Sequence, residues 1–491
     1  MAGIVGTLLR DRNIAQSFHD RMLKRLSHRG SPTTMMSENP QCVALITQFS
    51  RRRRRKGCKD RQDTTLAVDS GGIVLDGEDT SMISESVAQS DVSSLQAIAA
   101  AGVVREGVRV IRSTDGTRPV YYAPLEQGFA FAPERKAIWA LPTAFVRPVE
   151  PGEAVTFLWN GSSRSQEQHG RTRPPIDNEA SEAELILMLQ KELEESFSRL
   201  ESTKKCAVLF SGGVDSALAA LLTSKSCGNT VLITAATGAA KDSRVAESGA
   251  KLLGLEHHLV HLNPDSVWKA IPEVIYAIES TNRMDVEIAI PFFLAAGEAR
   301  KKKCRIVVSG QGPDELFAGY AKHERILAER GPDALRGKLW EELSVTHETN
   351  IARDERAIAS QKLTGFFPYL HRGFVQASLR VPTEMLIRLE GRMKRKLIFR
   401  RLAKKMGLPT RLCSRRKAAT QYSSGSAKVL LQSIRANVEE AKRVTKKKAE
   451  PLVQDVLDFI GNEIGVPTQY GFIGEFNLDL GPTTRLLKRI N

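Results

Sequence analysis

Residues 211–216, SGGVDS, bring two glycines, two hydroxyls and one carboxylate into a single short segment. Glycines let a backbone approach an anion closely, and the N-terminus of a following helix offers unpaired N–H groups. Ser211 and Ser216 add hydroxyl donors, but Asp215 would repel a bare phosphate unless a divalent cation such as Mg²⁺ lay between them. The segment therefore predicts a site for phosphate together with Mg²⁺. A glycine-rich connection that serves only a turn is the alternative.

A second polar segment, VVSGQGPDELFAGY, spans residues 307–320 and also follows an apolar run. Asp314 and Glu315 lie in it, and we expect Asp314, like Asp215, in a solvent-facing loop. If both runs are parallel strands, their carboxyl ends meet at one edge of a sheet, and these carboxylates should lie near Asp215. Two carboxylates from different loops could then share one magnesium ion. The alternative is a helix N-terminus that Asp314 merely caps.

The elements that must position these residues alternate between strand and helix from residue 205 onward. Apolar strands separated by helices indicate a parallel sheet with both faces covered, and open sheets of this kind bind ligands at the carboxyl ends of their strands. Beyond residue 319 the pattern is mostly helical. The predicted strands are 205–210, 230–236, 257–262 and 304–310, and the predicted helices between them are 214–226, 242–254 and 290–302.

The first part of the chain has a different pattern. Up to about residue 158, short apolar alternations between Gly, Asp and Pro turns predict an antiparallel sheet, with strands that include GGIVLDGED at 71–79 and FAFAPERKAIWAL at 129–141. Residues 160–182 are polar and rich in turn formers, which predicts a linker. An amphipathic helix over 182–200 follows it.

Composition excludes several classes of protein. The chain has 491 residues, 41% hydrophobic and 26% charged, which is typical of two or three globular domains. Spanning a bilayer needs about 20 apolar residues in a row, and the chain has no such run and no signal-peptide core. Its six cysteines form no C-x-x-C pair. We therefore expect a cytoplasmic protein without membrane contact, zinc or disulfides.

The net charge of +16 comes partly from Arg51–Arg55 and partly from residues 391–417, which hold no acidic residue. A basic surface attracts polyanions, including nucleic acid. We interpret the arginine run as a solvated loop, because no RNA-binding signature accompanies it and aromatic residues make up only 6% of the chain.

The segment SGGVDS resembles the SGGxDS pyrophosphate loop of ATP pyrophosphatases, which adenylate a substrate. Alone it leaves asparagine, argininosuccinate, NAD and GMP synthetases and tRNA-modifying enzymes open. Residues 307–320 resemble the SGxGxDELFGGY segment of the asparagine synthetase family and narrow the choice to it. Two further segments resemble that family: FFPYLH at 366–371, where His371 replaces the usual Asp, and KLIFRRLAKKMGLP at 396–409. A third, SRRKAATQYSSG at 414–425, resembles its archaeal type.

The resemblance implies a set of site residues. Asp215 and Asp314 would hold Mg²⁺, and Lys417 would contact the α-phosphate. Glu315 and Gln311 complete the expected catalytic set, although Gln311 stands where many synthetases have Glu, and a neutral amide can position a nucleophile but cannot take its proton. The residues expected to bind ATP and pyrophosphate are Leu209, Ser211, Gly212, Gly213, Asp215, Ser216, Ser309 and Gly310.

The amino-terminal part resembles the N-terminal-nucleophile glutaminase domain of the same family in MAGIVG, in LSHRGSP at 26–32 and in RSTDGTRPVYYA at 112–123. The family's nucleophilic Cys is replaced by Ala2, which cannot form a thioester. Asp76 replaces an Asn of the glutamine site, while Gly77 and Glu78 are kept. Neither Cys42 nor Cys58 could serve instead, since the nucleophile must be N-terminal. Either the cysteine was removed by engineering or the domain lost glutaminase activity naturally, and the additional departures favour natural loss.

The implied fold is α/β. An antiparallel αββα glutaminase-like domain without glutaminase activity (1–160) and a linker (161–180) precede a parallel-sheet ATP pyrophosphatase domain (181–430), which is adenine nucleotide α-hydrolase-like with a helical carboxyl-terminal part. Residues 431–491 form an extension whose role the sequence does not indicate.

The implied activity is ATP-dependent ligation with Mg²⁺. A carboxylate, most simply L-aspartate, is adenylated with release of pyrophosphate, and ammonia then displaces AMP. A homodimer is compatible with these motifs. Two alternatives remain: a β-lactam synthetase-like or other carboxylate-adenylating enzyme, and a non-catalytic scaffold or nucleic-acid-binding relative.

Overall fold

In the computed structural model the chain divides into two compact units, Met1–Thr172 and Arg173–Asn491. Ala2, the arginine run 51–55, Cys58, Asp76 and Lys417, all singled out in the sequence, lie outside the described residues. The structure describes residues 3–50, 66–70, 77–143, 145–167, 173–238, 241–390, 394–414, 424–445, 447, 450–468, 476–478 and 480–490.

The amino-terminal unit contains two antiparallel sheets. Its strands are β1 Ile4–Leu9, β2 Ser31–Glu38, β3 Val43–Ser50, β4 Leu66–Asp69, β5 Ala99–Val104, β6 Gly107–Arg112, β7 Tyr121–Leu125, β8 Gly128–Ala132, β9 Arg147–Pro148, β10 Glu153–Leu158 and β11 Ser163–Glu167. One sheet has the order β2-β3-β1-β8-β7-β9 and the other β11-β10-β6-β5-β4. Its helices are α1 Arg12–Arg25, α2 Gly77–Gln89 and α3 Arg135–Ile138.

Alternation of side chains along β1 separates two layers of core. Ile4 packs between the sheets in one cluster with Phe157 of β10, whereas its neighbour Val5 faces the opposite way and packs in a cluster with Met22 of α1. On the far side of the second sheet, Ile83 of α2 covers strands β4 and β5. The layers are therefore helix, sheet, sheet, helix, which confirms the predicted αββα arrangement.

Three local predictions in this unit differ from the structure. Gly77 and Glu78, predicted within a strand-and-turn segment, begin helix α2, and the end of the predicted strand at 129–141 contains α3. The predicted linker begins with β11, which pairs with β10. Its sequence, SRSQE, has no apolar face, so only the pairing of its backbone with a neighbouring strand makes it a strand.

The carboxyl-terminal unit is built on a five-stranded parallel sheet. Its strands are β12 Cys206–Leu209, β13 Thr230–Ala236, β14 Glu256–His261, β15 Ile306–Val308 and β16 Thr364–Phe366. All neighbours are parallel, in the order β14-β13-β12-β15-β16. The chain thus extends the sheet in one direction from β12 to β14 and then in the other through β15 and β16. A ligand crevice is expected between β12 and β15, where that direction reverses.

Helices cover this sheet in two groups, as predicted for buried parallel strands. α8 contacts β12, β13 and β14 and packs with α7 and α11, whereas α5 contacts β12 and β13 and packs with α4, α14 and α15. The helices are α4 Glu182–Ser198, α5 Val214–Ser226, α6 Lys241–Leu253, α7 Pro264–Ile278, α8 Arg283–Lys301, α9 Pro313–Leu316, α10 Ala321–Thr346, α11 Ala352–Ser360, α12 Arg372–Leu379, α13 Thr383–Leu386, α14 Leu397–Lys405, α15 Thr410–Cys413, α16 Ser426–Asn437, α17 Glu439–Lys442, α18 Leu452–Glu463 and α19 Gly481–Ile490.

The tail beyond residue 430 packs within this unit. Thr281, just before α8, donates its hydroxyl to buried Asp458 of α18 at 2.5 Å, and the Gln454 side chain bonds both the Thr281 carbonyl and the Arg283 N–H. A Cβ on Gly461 would lie 2.3 Å from the Thr281 methyl group, so α18 sits directly against the start of α8.

Among the described residues, the helices are all too short or too polar to cross a bilayer. Cys42, Cys206, Cys227, Cys304 and Cys413 are free and buried. The cytoplasmic location stays a prediction.

Candidate active site at the carboxyl edge of the parallel sheet

The first glycine-rich loop joins β12 to α5. Leu209 is the last residue of β12, and Gly212 takes a φ of +69°, which favours glycine because it has no Cβ. Gly213 is the N-cap of α5, and no described side chain caps this helix. The first N–H groups of α5 therefore point to the sheet edge without a capping side chain, which is the geometry that binds anions at helix N-termini.

Hydrogen bonds inside the loop fix its shape. Ser211 N–H donates to Ser216 Oγ at 3.2 Å, and the two hydroxyl oxygens lie 3.2 Å apart. Ser216 in turn donates to the Gly213 carbonyl at 3.2 Å. The hydroxyl groups of Ser211 and Ser216 thus fix the conformation of the loop through bonds within the loop.

The second loop follows β15 and lies against the first. Ser309 is buried, and its N–H donates to the Phe366 carbonyl of β16 at 2.9 Å. A Cβ on Gly310 would lie 3.1 Å from the Ser216 nitrogen and 3.2 Å from the Asp215 carbonyl carbon. Such distances are tighter than normal van der Waals contact, so glycine at 310 lets the two loops meet. The structure brings both predicted motifs together.

Asp215 and Asp314 share one buried lysine. Lys396 Nζ donates to Asp215 at 2.8 and 2.7 Å and forms an ion pair with Asp314 Oδ1 at 2.8 Å. The prediction that both carboxylates lie in solvent-facing loops is wrong for Asp314, which is 5% exposed within α9. Asp314 is not the helix cap either, since Gly312 takes that position.

Lys396 was not among the predicted site residues. It is 1% exposed, and burial lowers its pKa, while the charges of Asp215 and Glu315 oppose that change. Its only signal in the sequence was its place as the first residue of the segment 396–409, which resembles a family helix. The contact joins residues 181 positions apart in the chain, which local patterns do not reveal.

Gly319 makes room for this ion pair. A Cβ there would lie 1.9 Å from Asp314 Oδ1 and 2.3 Å from Lys396 Cε. Both of those atoms belong to buried, paired side chains that cannot move aside cheaply. Glycine at 319 is therefore a requirement of the site rather than of a turn.

Two aromatic hydroxyls support the carboxylate cluster. Tyr369, buried in the segment FFPYLH, donates to the Asp215 carbonyl at 2.8 Å. Tyr320 donates to Glu315 Oε1 at 2.5 Å, and Asn350 adds a longer bond of 3.3 Å to the same oxygen. Burial raises the pKa of Glu315, against the opposing effect of Tyr320. A catalytic role for Glu315 stays a prediction.

Gln311 lies in the second loop and is half-buried. Its amide nitrogen donates to Asp354 Oδ2 at 2.7 Å, and Arg353 donates to Asp354 Oδ1 at 2.9 Å. Burial raises the pKa of Asp354, with Arg353 and Gln311 opposing. No motif or spacing in the sequence indicated Asp354.

Lys417 lies outside the described residues, but the chain on its carboxyl side is placed. Thr237, the residue after β13, donates its N–H to the Ser424 carbonyl at 2.9 Å. Gly425 has a φ of +81°, and a Cβ there would lie 2.9 Å from Thr237 Oγ1. The first described residues after Lys417, Ser424 and Gly425, thus lie at the carboxyl edge of the sheet. The role predicted for Lys417 stays a prediction.

The predicted glutamine site of the amino-terminal unit is only partly described, because Ala2 and Asp76 lie outside. Cys42 is buried, its thiol donates to the Trp159 carbonyl at 3.0 Å, and burial raises its pKa. A protonated thiol is a poor nucleophile. That Cys42 does not replace the missing cysteine stays a prediction.

The same unit buries a cluster around Glu134. His28 Nε2 lies 2.7 Å from Glu134 Oε1, Arg29 Nε donates to the same oxygen at 2.5 Å, and Lys136 forms an ion pair with Oε2. Burial alone would raise the pKa of Glu134, but Arg29, His28 and Lys136 together hold it well below its usual range. A Cβ on Gly3 would be 3.5 Å from Arg29 Cδ, so the cluster lies next to the start of β1.

Comparison with solved structures gives only weak similarity. An NMN synthetase from Francisella tularensis matches with a TM-score of 0.27 and 15% identity over 58% of this chain and 94% of that one. A glutamine phosphoribosylpyrophosphate amidotransferase from B. subtilis matches with a TM-score of 0.26 and 13% identity over 52% and 65%. Similarity at this level carries no conclusion about the protein.

Comparison with curated proteins gives longer matches. A protein provisionally named asparagine synthetase 1 (glutamine-hydrolysing) from Methanocaldococcus jannaschii is 27% identical over 69% of this chain and 70% of its own length. Asparagine synthetase B (glutamine-hydrolysing) from Escherichia coli is 25% identical over 58% and 53%, and the Mesocricetus auratus asparagine synthetase is 26% identical over 69% and 66%. The chain thus spans about half of the bacterial relative and about two thirds of the other two.

A family model described as asparagine synthase matches residues 188–334 and 327–457, which together cover more than half of the chain. The match includes both loops of the crevice, Lys396 and the segment that contains Lys417. It also continues past residue 430 and ends at residue 457 within α18, so part of the predicted extension matches the family model. The chain belongs to the asparagine synthase family.

Proposed function

We propose that this protein is an ATP-dependent ligase that activates a carboxylate as its adenylate and joins it to ammonia, with L-aspartate as the simplest substrate. The observation that carries the proposal is the meeting of two loops between β12 and β15. There, an uncapped helix N-terminus, a glycine-rich backbone and the carboxylates of Asp215 and Asp314 lie at one edge. An anion that arrives with a divalent cation matches this combination, and ATP with Mg²⁺ is such a ligand.

The carboxylates fit a magnesium ion in their charge balance. The carboxylates of Asp215, Asp314 and Glu315 act on Lys396, and Arg400 adds a further positive charge near Asp215, so among these described groups the carboxylates outnumber the cations. Among the described residues no group of three or more metal-ligating side chains is found, so phosphate oxygens and water would supply the remaining ligands. Asp215 and Asp314 would hold the ion. Bound Mg²⁺ would neutralise charge on the leaving pyrophosphate.

The chain's own groups would bind and orient the phosphates. The amides of the Gly212–Gly213 backbone and the first turn of α5 would take the pyrophosphate, and Lys396 would add a positive charge beside it. Lys417 would contact the α-phosphate, as the family resemblance implies.

The proposed reaction has two steps. A carboxylate oxygen forms a bond to the α-phosphorus of ATP, the bond from that phosphorus to the β-bridging oxygen breaks, and pyrophosphate leaves with the electron pair. The amine nitrogen then bonds to the acyl carbon, the bond from that carbon to the AMP oxygen breaks, and one proton passes from nitrogen to water. Free ammonia is the proposed donor, because Ala2 stands in the motif where a glutaminase needs a thiol.

The test is ATP–pyrophosphate exchange by the purified protein with L-aspartate and a panel of other carboxylates, across a Mg²⁺ titration. We expect exchange in the wild type and a loss of orders of magnitude in Asp215→Asn and Asp314→Asn, because each removes a charge that holds the metal. Glutamate release from glutamine should stay at background.

Glu279→Gln serves as the matched control. Glu279 is also buried in this unit and paired with an arginine, Arg356, but it lies outside the crevice. The exchange rate of Glu279→Gln should remain near wild type if the aspartate variants lose exchange because metal binding is lost. It should fall as well if the loss comes from breaking any buried ion pair. No exchange with any carboxylate would contradict the proposal and favour a non-catalytic relative. Exchange with a substrate that carries its own amine, followed by ring closure without ammonia, would favour the cyclase alternative.

A further inference from the structure

We propose that Asp354 positions the side-chain amide of Gln311 so that its carbonyl oxygen accepts a hydrogen bond from the incoming amine. This role rests on the proposed function, since an amine is needed only if an acyl-adenylate forms. In this role Gln311 selects an uncharged nitrogen nucleophile that has an N–H to donate. Asp354 is the positioning residue that orients Gln311.

The orientation of the amide follows from the chemistry of its partner. A carboxylate accepts hydrogen bonds and does not donate them, so the NH₂ group of Gln311 faces Asp354 Oδ2, 2.7 Å away. Burial raises the pKa of Asp354, and the guanidinium of Arg353 on Oδ1 opposes that change, while the bond of 2.7 Å itself places the Gln311 nitrogen on Oδ2. The carbonyl oxygen of Gln311 must then point away from Asp354.

The position of Asp354 is fixed by a buried network around Arg353. It is fully buried, and Arg353 also donates to the Thr349 carbonyl at 3.1 Å and to Asp285 of α8 at 3.4 Å. Rotation of Asp354 would break a bond inside this buried network, which is more costly than rotation of a side chain in solvent. The amide of Gln311 is thus locked at one end.

The other end is open. Among the described residues, Gln311 Oε1 has no hydrogen-bond partner, yet it is not one of the buried unpaired atoms, so solvent or a ligand reaches it. Gln311 directly follows Gly310, whose backbone touches the first turn of α5. The open acceptor is therefore in the loop that forms the ligand crevice. A neutral carbonyl there can orient an amine by one hydrogen bond but cannot take its proton.

The test is Asp354→Asn. Arg353 must keep an acceptor, so the Asn oxygen takes the place of Oδ1 and its NH₂ group faces Gln311. Two NH₂ groups cannot bond, so Gln311 flips and presents a donor to the crevice. We expect the KM for ammonia, titrated as ammonium chloride at fixed pH, and that for hydroxylamine to rise roughly 10- to 100-fold. ATP–pyrophosphate exchange with L-aspartate should change by less than about threefold, because that step uses no amine.

Two further variants keep the result decisive. Asp285→Asn loosens Arg353 but leaves the Asp354 carboxylate, so it should keep the wild-type KM for the amines. Gln311→Met removes the acceptor without adding a donor, so it should raise the amine KM less than Asp354→Asn, and it tests the contact even if Asp354→Asn does not fold.

An unchanged amine KM in Asp354→Asn or Gln311→Met would overturn the role. So would an equal rise in Asp285→Asn, which would indicate a loosened network. A changed KM for L-aspartate in the exchange assay would place Gln311 on the carboxylate substrate instead. If the wild type shows no exchange, the proposed function fails and this role falls with it. If the wild type shows exchange but the variants keep the wild-type KM for the amines, only the role of Gln311 and Asp354 is contradicted.

Discussion

Each unit of the molecule buries a charge cluster, and the two clusters are balanced in opposite ways. In the amino-terminal unit a single carboxylate, Glu134, is paired with Arg29 and Lys136 and bonded to His28. Burial lowers the pKa of His28 despite the opposing charge of Glu134, which favours the neutral ring. The two cations, Arg29 and Lys136, thus outnumber the single negative charge of Glu134.

In the carboxyl-terminal unit three carboxylates, those of Asp215, Asp314 and Glu315, act on Lys396, and Arg400 adds a further positive charge near Asp215. Among these described groups the carboxylates outnumber the cations. Burying a charge is costly unless it is compensated, so such an excess is expected where a ligand completes the balance. We therefore expect the cluster around Glu134 to stabilise the fold and the cluster around Lys396 to bind the metal ion of a metal-bound phosphate.

The largest expected effect comes from removing the lysine of each cluster. Lys396→Met should lower ATP–pyrophosphate exchange by roughly 100-fold or more, because positive charge beside the leaving group is lost. Lys136→Met should leave exchange near wild type and instead lower the free energy of unfolding of its unit by roughly 1 to 3 kcal/mol, since Arg29 still compensates Glu134. Exchange rates and urea unfolding of both variants check this pair. Equal losses of exchange in the two variants would remove the distinction.

A smaller effect is expected from filling the space at Gly319. Gly319→Ala would push Asp314 and Lys396 apart, so exchange should fall roughly 10- to 100-fold and need more Mg²⁺. Gly337→Ala in α10 is the matched control, since nothing lies within 4 Å of its Cβ position. That control should gain up to about 1 kcal/mol of helix stability. Normal exchange in Gly319→Ala would show that the ion pair tolerates separation.

The smallest effect on exchange is expected in the amino-terminal unit, where pH changes stability instead. His19 is buried against Thr47 at 2.7 Å, and burial lowers its pKa from 6.5 to about 4, with Asp20 opposing. The unfolded chain therefore binds this proton first as the pH falls. Stability should be lost between pH 6.5 and about 4, by up to about 3 kcal/mol, and be fully present above that window. His28 acts in the same direction.

Hydrogen exchange of β1 and β3, corrected for its intrinsic dependence on pH, measures this loss. His19→Gln should flatten the curve while leaving adenylation unaffected at pH 7. A curve with the same slope in the variant would assign the pH dependence to other groups.

Much of the second unit could be predicted from sequence because its signals are local. The apolar run 230–236 and the helix 214–226 match β13 and α5, since a buried parallel strand and a helix that opens on SGG leave continuous patterns. The same patterns also predicted that the loops after β12 and β15 lie at the carboxyl edge of the parallel sheet. They did not reveal Lys396 or Asp354, because each reaches its partner across a long stretch of chain.

Sequence also overestimated the exposure of the site. Asp314 was expected in solvent because a polar loop residue usually is, but Lys396 compensates its charge and allows it to be buried. In the other unit, β11 was missed because a polar edge strand is defined by its neighbour β10 rather than by its own residues.

The contacts between α18 and the start of α8 set a limit on shortening the chain. Removal of residues from about 450 onward would take away Asp458 and Gln454, and with them the partners of Thr281 and the Arg283 N–H. The same end of α8 carries Asp285, which holds Arg353. A protein cut at the end of the predicted synthetase domain would therefore lose the brace of that helix as well as its tail, and expression trials or domain fusions should keep the carboxyl-terminal helices intact.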